Sequence, residues 1–206
     1  MTYDLSKENE RLALGTAKKL VLASTSRYRA QLLARLSLTF ETLDPCVDET
    51  PCANEDPRAL ALRLAIAKAQ TPFAPADAWV LGSDQVLACH ERTLGKPGTR
   101  DIAIQQLSAC SGSTVSFYTA VCLSNRALSL CYSHTVDTRV TFRELSDREI
   151  ATYVATEPAL DCAGAFKVEG LGISLFTEVI STDPTALEGL PLISVCSMLR
   201  EANLMN

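Results

Sequence analysis

The sequence predicts an α/β protein built on a mixed β-sheet with flanking helices. Strand-like and helix-like segments interleave along the chain without a strict strand–helix–strand alternation, which disfavours a purely parallel sheet. Helix-capping signals recur between the apolar runs. With 206 residues, 47% of them hydrophobic and 21% charged, the chain can bury one good core.

The elements follow in order. Residues 1–18 have weak periodicity and read as a loose N-terminal extension ahead of a single domain, 19–206. Leu20 to Ala23 is a first strand. Tyr28, Leu32, Leu33 and Leu36 recur at helical spacing, so the chain runs strand, Ser-rich turn, helix, and the exposed N–H groups at such a helix start favour an anion. Asp56-Pro57 pairs a capping acid with proline at the first helical position and opens a helix to about Gln70. Ala78-Trp79-Val80-Leu81 is a short buried strand that ends at Gly82-Ser83 and hands Asp84 to a cleft. Asp101 to Cys110 is an amphipathic helix closed by Gly112. Thr114 to Leu123 and Leu128 to Phe142 are strands around a Ser124-Asn125 turn, the second alternating at Val136, Thr138, Val140 and Phe142. Ser146 and Glu149 form a capping box before another helix. Phe166 to Ile180 reads as a strand pair or a kinked strand, and Leu190 to Asn203 as the last helix.

Composition excludes several classes. A net charge of −5 argues against a nucleic-acid duplex as main partner, because phosphate backbones are met by basic surfaces. No apolar run approaches the ~20 residues needed to span a bilayer, and the polar, acid-bearing start is not a secretory signal. Eight cysteines include no Cys-x-x-Cys pair and only two histidines accompany them, which argues against structural zinc. Most of these cysteines read as small buried hydrophobes in a reducing cytoplasm.

The chemistry-bearing residues are acids beside phosphate-binding cations. Asp84 and Glu49 are acids of the kind that hold a metal, and Ser24, Ser26 and Arg29 cluster at the first helix start. Lys68 lies on the second helix, and Lys96 is fixed between Gly95 and Pro97. Such parts make a nucleotide hydrolase. Each has a plainer role beside it: Asp84 as a turn residue, Glu49 as a loop acid, Lys68 or Arg29 on a solvated helix face, Ser24 as a turn hydroxyl.

Taken together, six ordered motifs resemble the Maf family of nucleoside triphosphate pyrophosphatases from Leu20 to about Leu199. They are Leu20-Val21-Leu22-Ala23-Ser24-Thr25-Ser26, Val47-Asp48-Glu49-Thr50, Gly82-Ser83-Asp84-Gln85, Gly95-Lys96-Pro97, Ala163 through Gly170, and Gly189-Leu190-Pro191-Leu192. Ser83-Asp84-Gln85 and the Cys162–Gly170 run resemble the branch that hydrolyses 7-methyl-GTP. The resemblance implies an elongated fold with a deep nucleotide cleft between two lobes, similar to the ITPases. It also implies a divalent cation (Mg²⁺ or Mn²⁺) at Glu49 and Asp84, a cytoplasmic location and commonly a homodimer. Asp84 would activate water, Glu49 would share the metal or the water, and Ser24, Ser26, Arg29, Lys68 and Lys96 would hold phosphates. Tyr28, Gln85 and Glu169 would choose the base. The chain departs from the family where Arg27, Tyr28 and Ala30 stand in the usual Ser-Pro-Arg-Arg stretch, and where no asparagine precedes Gly189.

Methylation at N7 makes guanine cationic. An aromatic ring such as Tyr28 gains roughly 0.5–2 kcal/mol by stacking on a cation, and the Glu169 carboxylate can accept two hydrogen bonds from the N1–H and N2–H₂ edge. Two alternatives stay open at this point: a pyrophosphatase acting on dTTP, UTP or another modified nucleotide, and a non-enzymatic nucleotide-binding regulator of septum formation.

Overall fold

A computed structural model describes residues 19–90, 92–157 and 159–206; the extension expected over 1–18 lies outside them. The described residues form one mixed sheet with the strands β1 (Leu20–Ala23), β2 (Glu41–Leu43), β3 (Trp79–Cys89), β4 (Arg92–Leu94), β5 (Thr114–Asn125), β6 (Leu130–Phe142) and β7 (Phe176–Ile180). The helices are α1 (Arg27–Ala34), α2 (Pro57–Ala69), α3 (Arg100–Cys110), α4 (Asp147–Thr156) and α5 (Leu192–Glu201). Strand order is β2-β1-β3-β5-β6-β7, with β4 folded back on β3. β1 runs parallel to β2 and β3, and every other pairing is antiparallel. This is the mixed α/β sheet that the sequence predicts.

Three long strands give the molecule its shape. β3, β5 and β6 have 11, 12 and 13 residues, and at about 3.3 Å per residue they extend for roughly 35–40 Å. A different core forms at each end. Leu87, Phe117, Val140 and Phe142 pack with α3 and α4 at one end. Leu81, Val121 and Leu123 pack with α1 and α5 at the other. At the first end Phe166 meets Phe142 and Phe176 edge-to-face, with ring centroids 5.7 and 4.9 Å away, a geometry that suits the ring quadrupoles. Between the two cores α2 lies across the sheet on Val86, Ala120 and Cys122. Its close approach depends on Gly82, where a Cβ would come within 2.4 Å of the Ala65 carbonyl oxygen and 2.5 Å of the Ala69 nitrogen.

The caps explain the helix boundaries. Asp56 accepts from the N–H groups of Arg58 and Ala59 at 3.0 and 3.1 Å. The Ser146–Glu149 box is closed in both directions. Asp183 is buried and accepts from Ile193 N at 2.7 Å, while Thr185 Oγ1 accepts from Leu192 N at 2.8 Å. Together they start α5 two residues later than the sequence suggests.

Other expectations need correction. The strand carrying Asp84 does not end at Gly82-Ser83 but continues to Cys89, so Asp84 sits in mid-strand. The turn between β5 and β6 falls at 126–129, because Asn125 is buried and its side chain bonds the Asp77 carbonyl and Leu128 N. Only the last part of the Phe166–Ile180 segment is strand. Leu171–Leu175 is a 3-10 turn that doubles back, with Gly172 N donating to Lys167 O at 3.0 Å. β2 and β4, three residues each, escape sequence patterning. Cys89, Cys110 and Cys122 are buried, but Cys46, Cys52 and Cys131 are exposed and Cys162 and Cys196 half-buried, so most cysteines are not core residues.

Candidate functional site

The site begins where β3 passes between the two cores. There Asp84 projects toward α2, and Lys68 reaches it through the contact that Gly82 permits. Lys68 Nζ lies 2.6 Å from Asp84 Oδ1 and 2.5 Å from Glu49 Oε1. The Lys68 residue is only 4% exposed, and an ammonium so far from water needs acids around it. Glu49 comes from the loop after β2. That loop is held by side-chain turns at Asp44 and Asp48, by Glu55 accepting from Cys52 N at 2.9 Å, and by Arg63 of α2 donating to Thr50 O at 3.1 Å.

The two acids are pushed in opposite directions. Burial dominates at Asp84 and lifts its pKa above the ordinary carboxylate value, helped by the Glu49 charge, although Lys68 and Arg29 pull it down. Burial also acts on the half-exposed Glu49, but the Lys68 hydrogen bond and the charges of Lys68, Lys96 and Arg29 outweigh it and hold the pKa below its usual value. A pair of carboxyls driven apart in this way can divide the roles of proton acceptor and permanently ionised partner. Both offer hard oxygen ligands. Among the described residues no group of three or more His, Cys, Asp or Glu side chains could hold an ion.

α1 presents its N-terminus to the same space. Ser26 caps it, accepting from Arg29 N at 3.4 Å. Ser24 Oγ accepts from Ser26 N at 3.1 Å and from Arg29 Nη1 at 3.5 Å, so Ser24 positions Arg29. Arg29 Nε donates to Gly189 O at 3.0 Å. Burial lowers the Arg29 pKa, and Asp84 and Glu49 counter it. Lys96 follows β4 in an irregular segment, where the Gly95 carbonyl accepts from Gln106 Nε2 at 3.1 Å.

The third group lies toward the Phe166 end. The Tyr28 hydroxyl accepts from Arg27 Nη2 at 2.8 Å and donates to Asp161 Oδ2 at 3.4 Å. The Tyr28 ring has the Arg27 guanidinium 4.8 Å and the Lys167 ammonium 5.7 Å from its centroid. Gln85 Nε2 donates to Thr119 Oγ1, Ala186 O and Leu187 O at 3.0, 2.9 and 3.2 Å, so its amide nitrogen ties the 186–187 backbone to the sheet. Glu169 is exposed on the cleft wall.

All ten residues singled out from the sequence line one cleft of about 820 Å³, within the range of small-molecule sites. Leu60, Leu64, Phe117, Phe166, Val168 and Leu187 supply apolar wall between the charged groups. Sequence reasoning missed Arg27, Asp161 and Lys167 around Tyr28, and Arg63 behind Glu49. It also assigned no role to Ser83, whose hydroxyl donates toward Ala120 O and Gly189 O at 2.8 and 3.1 Å. Ser83, inside the Gly-Ser-Asp-Gln motif, and Lys167, inside the Ala163–Gly170 motif, carried a sequence signal, and Arg27 stood out as a departure from the family stretch.

Comparison with known proteins gives consistent likenesses. A protein from Xanthomonas oryzae pv. oryzae named 7-methyl-GTP pyrophosphatase is 55% identical over 186 residues, 89% of this chain and 96% of that protein. One from Aromatoleum aromaticum with the same name is 52% identical over 188 residues, 91% and 97% of the two chains. One from Cupriavidus pinatubonensis, also so named, is 49% identical over 185 residues, 89% and 93%. A solved HAM1 protein from Coxiella burnetii superposes with a TM-score of 0.42 at 17% identity, over 62% of this chain and 74% of that one. The profile of the family described as Maf-like protein matches residues 19–202, and the chain belongs to that family.

Proposed function

We propose that this chain is a metal-dependent nucleotide pyrophosphatase of the cytoplasm that converts 7-methyl-GTP to 7-methyl-GMP and diphosphate. The observation that carries the proposal is the buried Lys68 ammonium held between Glu49 and Asp84, facing a cleft bordered by Arg29 and Lys96. The names of relatives about half identical over nine-tenths of the chain support the substrate.

Asp84, with its raised pKa, takes the proton of the attacking water. Glu49 stays ionised. The donor set fits Mg²⁺ or Mn²⁺, because such ions take one or two carboxylates and complete their shell with substrate phosphates and water. When bound, the ion supplies charge neutralisation on the phosphates and lowers the pKa of water. Arg29, Lys96 and Lys68 offer positive charge to the triphosphate, and the Ser26-capped start of α1 adds backbone N–H groups. No protein nucleophile is needed, since positioning and charge stabilisation carry phosphoryl transfer.

On the base side, Glu169 accepts from the guanine N1–H and N2–H₂ edge. Tyr28 stacks on the cationic ring, and the base then displaces Arg27 or Lys167 from the ring face. Gln85 acts through the 186–187 backbone and is a positioning residue.

The test is a panel of 7-methyl-GTP, GTP, UTP and dTTP with Mg²⁺ or Mn²⁺, with pyrophosphate and phosphate measured separately. 7-Methyl-GTP should be turned over best and should release pyrophosphate. Stepwise phosphate release, or a preference for UTP or dTTP, would overturn the proposal, and binding without turnover would leave a nucleotide-binding protein.

A further inference from the structure

At the middle of the sheet, on the face that α2 covers, two sulfurs meet that no part of the proposed reaction uses. Cys122 of β5 and Cys131 of β6 lie with their Sγ atoms 3.3 Å apart. In the strand register Cys122 faces Ser133 and Ser124 faces Cys131, so the two cysteines are diagonal neighbours on one face, the face covered by α2. They differ in access. Cys122 is fully buried among Leu60, Ala61 and Ala65, whereas Cys131 is exposed beside the end of α2, with Gln70 Nε2 4.0 Å from its sulfur.

We propose that Cys131 and Cys122 form a reversible dithiol–disulfide site that reacts with peroxides, Cys131 being the sulfur attacked first and Cys122 the one that resolves it. The Cys131 thiolate attacks one peroxide oxygen. A sulfur–oxygen bond forms, the oxygen–oxygen bond breaks, and the departing oxygen takes a proton and leaves as water or an alcohol. The sulfur is oxidised by two electrons to a sulfenic acid, and the peroxide is reduced. The Cys122 sulfur then attacks the Cys131 sulfur, the sulfur–oxygen bond breaks, and the Cys122 proton leaves with the hydroxyl as water. The sulfurs need close by only roughly 1 Å to reach disulfide bonding distance.

The order of attack follows from access. Cys131 faces solvent, while burial raises the Cys122 thiol pKa and disfavours its thiolate. The other contacting pair supplies the contrast. Cys89 and Cys110 also interact, but both are buried, so a solution oxidant reaches neither.

The experiment uses the full chain in its native state, treated with hydrogen peroxide, quenched with an alkylating reagent and mapped after trypsin digestion. Cleavage at Arg126 separates the two cysteines, so a disulfide appears as two joined peptides lacking two hydrogens and parted by dithiothreitol. Cys89 and Cys110 should be alkylated only after unfolding. In a Cys122→Ala variant, Cys131 should be trapped by dimedone as sulfenic acid. It should then gain two oxygens as sulfinic acid at peroxide levels where the wild type gives the disulfide. Wild-type Cys131 ending as sulfenic or sulfinic acid while Cys122 stays alkylatable would overturn the proposal, as would a link from Cys131 to another cysteine. Should Cys122→Ala fail to fold, the wild-type map alone decides.

Discussion

Lys68 and Asp84 form an ion pair 2.6 Å long in which neither side chain is more than 10% exposed, yet Asp84 ends with a raised pKa. The lysine charge is therefore the main brake on a larger rise. Removing it by Lys68→Met leaves the buried carboxyl with less reason to ionise, so its pKa climbs further. A base must be unprotonated to act, so the acid limb of the kcat/KM profile for 7-methyl-GTP should move to higher pH. An unmoved limb, with only the height of the profile reduced, would separate Lys68 from the proton transfer.

Asp84→Asn keeps the shape and removes the charge. Loss of a positioned base costs about 10²–10⁴-fold, and kcat should fall by that order with the circular dichroism spectrum and Tm near those of the wild type. Activity within a few-fold of the wild type would mean that another group activates the water.

Lys96→Ala should weaken turnover of every triphosphate alike, because the side chain serves phosphate and not base. The measurement is kcat/KM for 7-methyl-GTP, GTP and UTP, with the ranking expected to survive. A loss confined to one base would move Lys96 into the base pocket.

Glu169→Ala should raise KM for 7-methyl-GTP roughly ten- to hundred-fold, since a hydrogen bond to a charged group is worth about 1.5–3 kcal/mol, and should barely affect UTP. Tyr28→Ala should narrow the gap between 7-methyl-GTP and GTP. Because Arg27 and Lys167 already sit on that ring, Arg27→Ala frees ring face for the base and should not reduce the narrowing. If neither Glu169→Ala nor Tyr28→Ala alters the ranking, base choice lies elsewhere in the cleft.

Gly82→Ala should lower the urea midpoint and kcat together. The added methyl would press on the backbone of α2 at Ala65 and Ala69. Overpacking of this kind costs about 1–3 kcal/mol, and the helix that yields is the one carrying Lys68. Full activity with unchanged stability would show that α2 can shift freely.

Where local chemistry dictates structure, the sequence was readable. Asp56-Pro57 and Ser146–Glu149 mark their helices because a cap is a contact within one turn, and the Val136–Phe142 alternation marks a strand because its period is two. Gly82-Ser83 misled because both residues serve distant partners: the glycine makes room for α2, and the serine hydroxyl is satisfied by Ala120 and Gly189 across the sheet. The position of Lys68 on an apolar helix could not decide between solvent and site, since its two acids arrive from β3 and from the loop after β2. The same holds for Arg27 and Lys167, which meet only at the Tyr28 ring.

β3, β5 and β6 run unbroken through both cores, and this gives the cleft a mechanical character. The sheet behaves as a continuous beam with the reactive groups at mid-span, and spreading its two ends apart would mean shearing ladder hydrogen bonds on both sides of Asp84. Entry and exit of the nucleotide therefore fall to the side chains at the rim, Arg27 and Glu169, while the floor stays stiff. A rigid ligand cut to the shape of that floor would pay little in protein reorganisation.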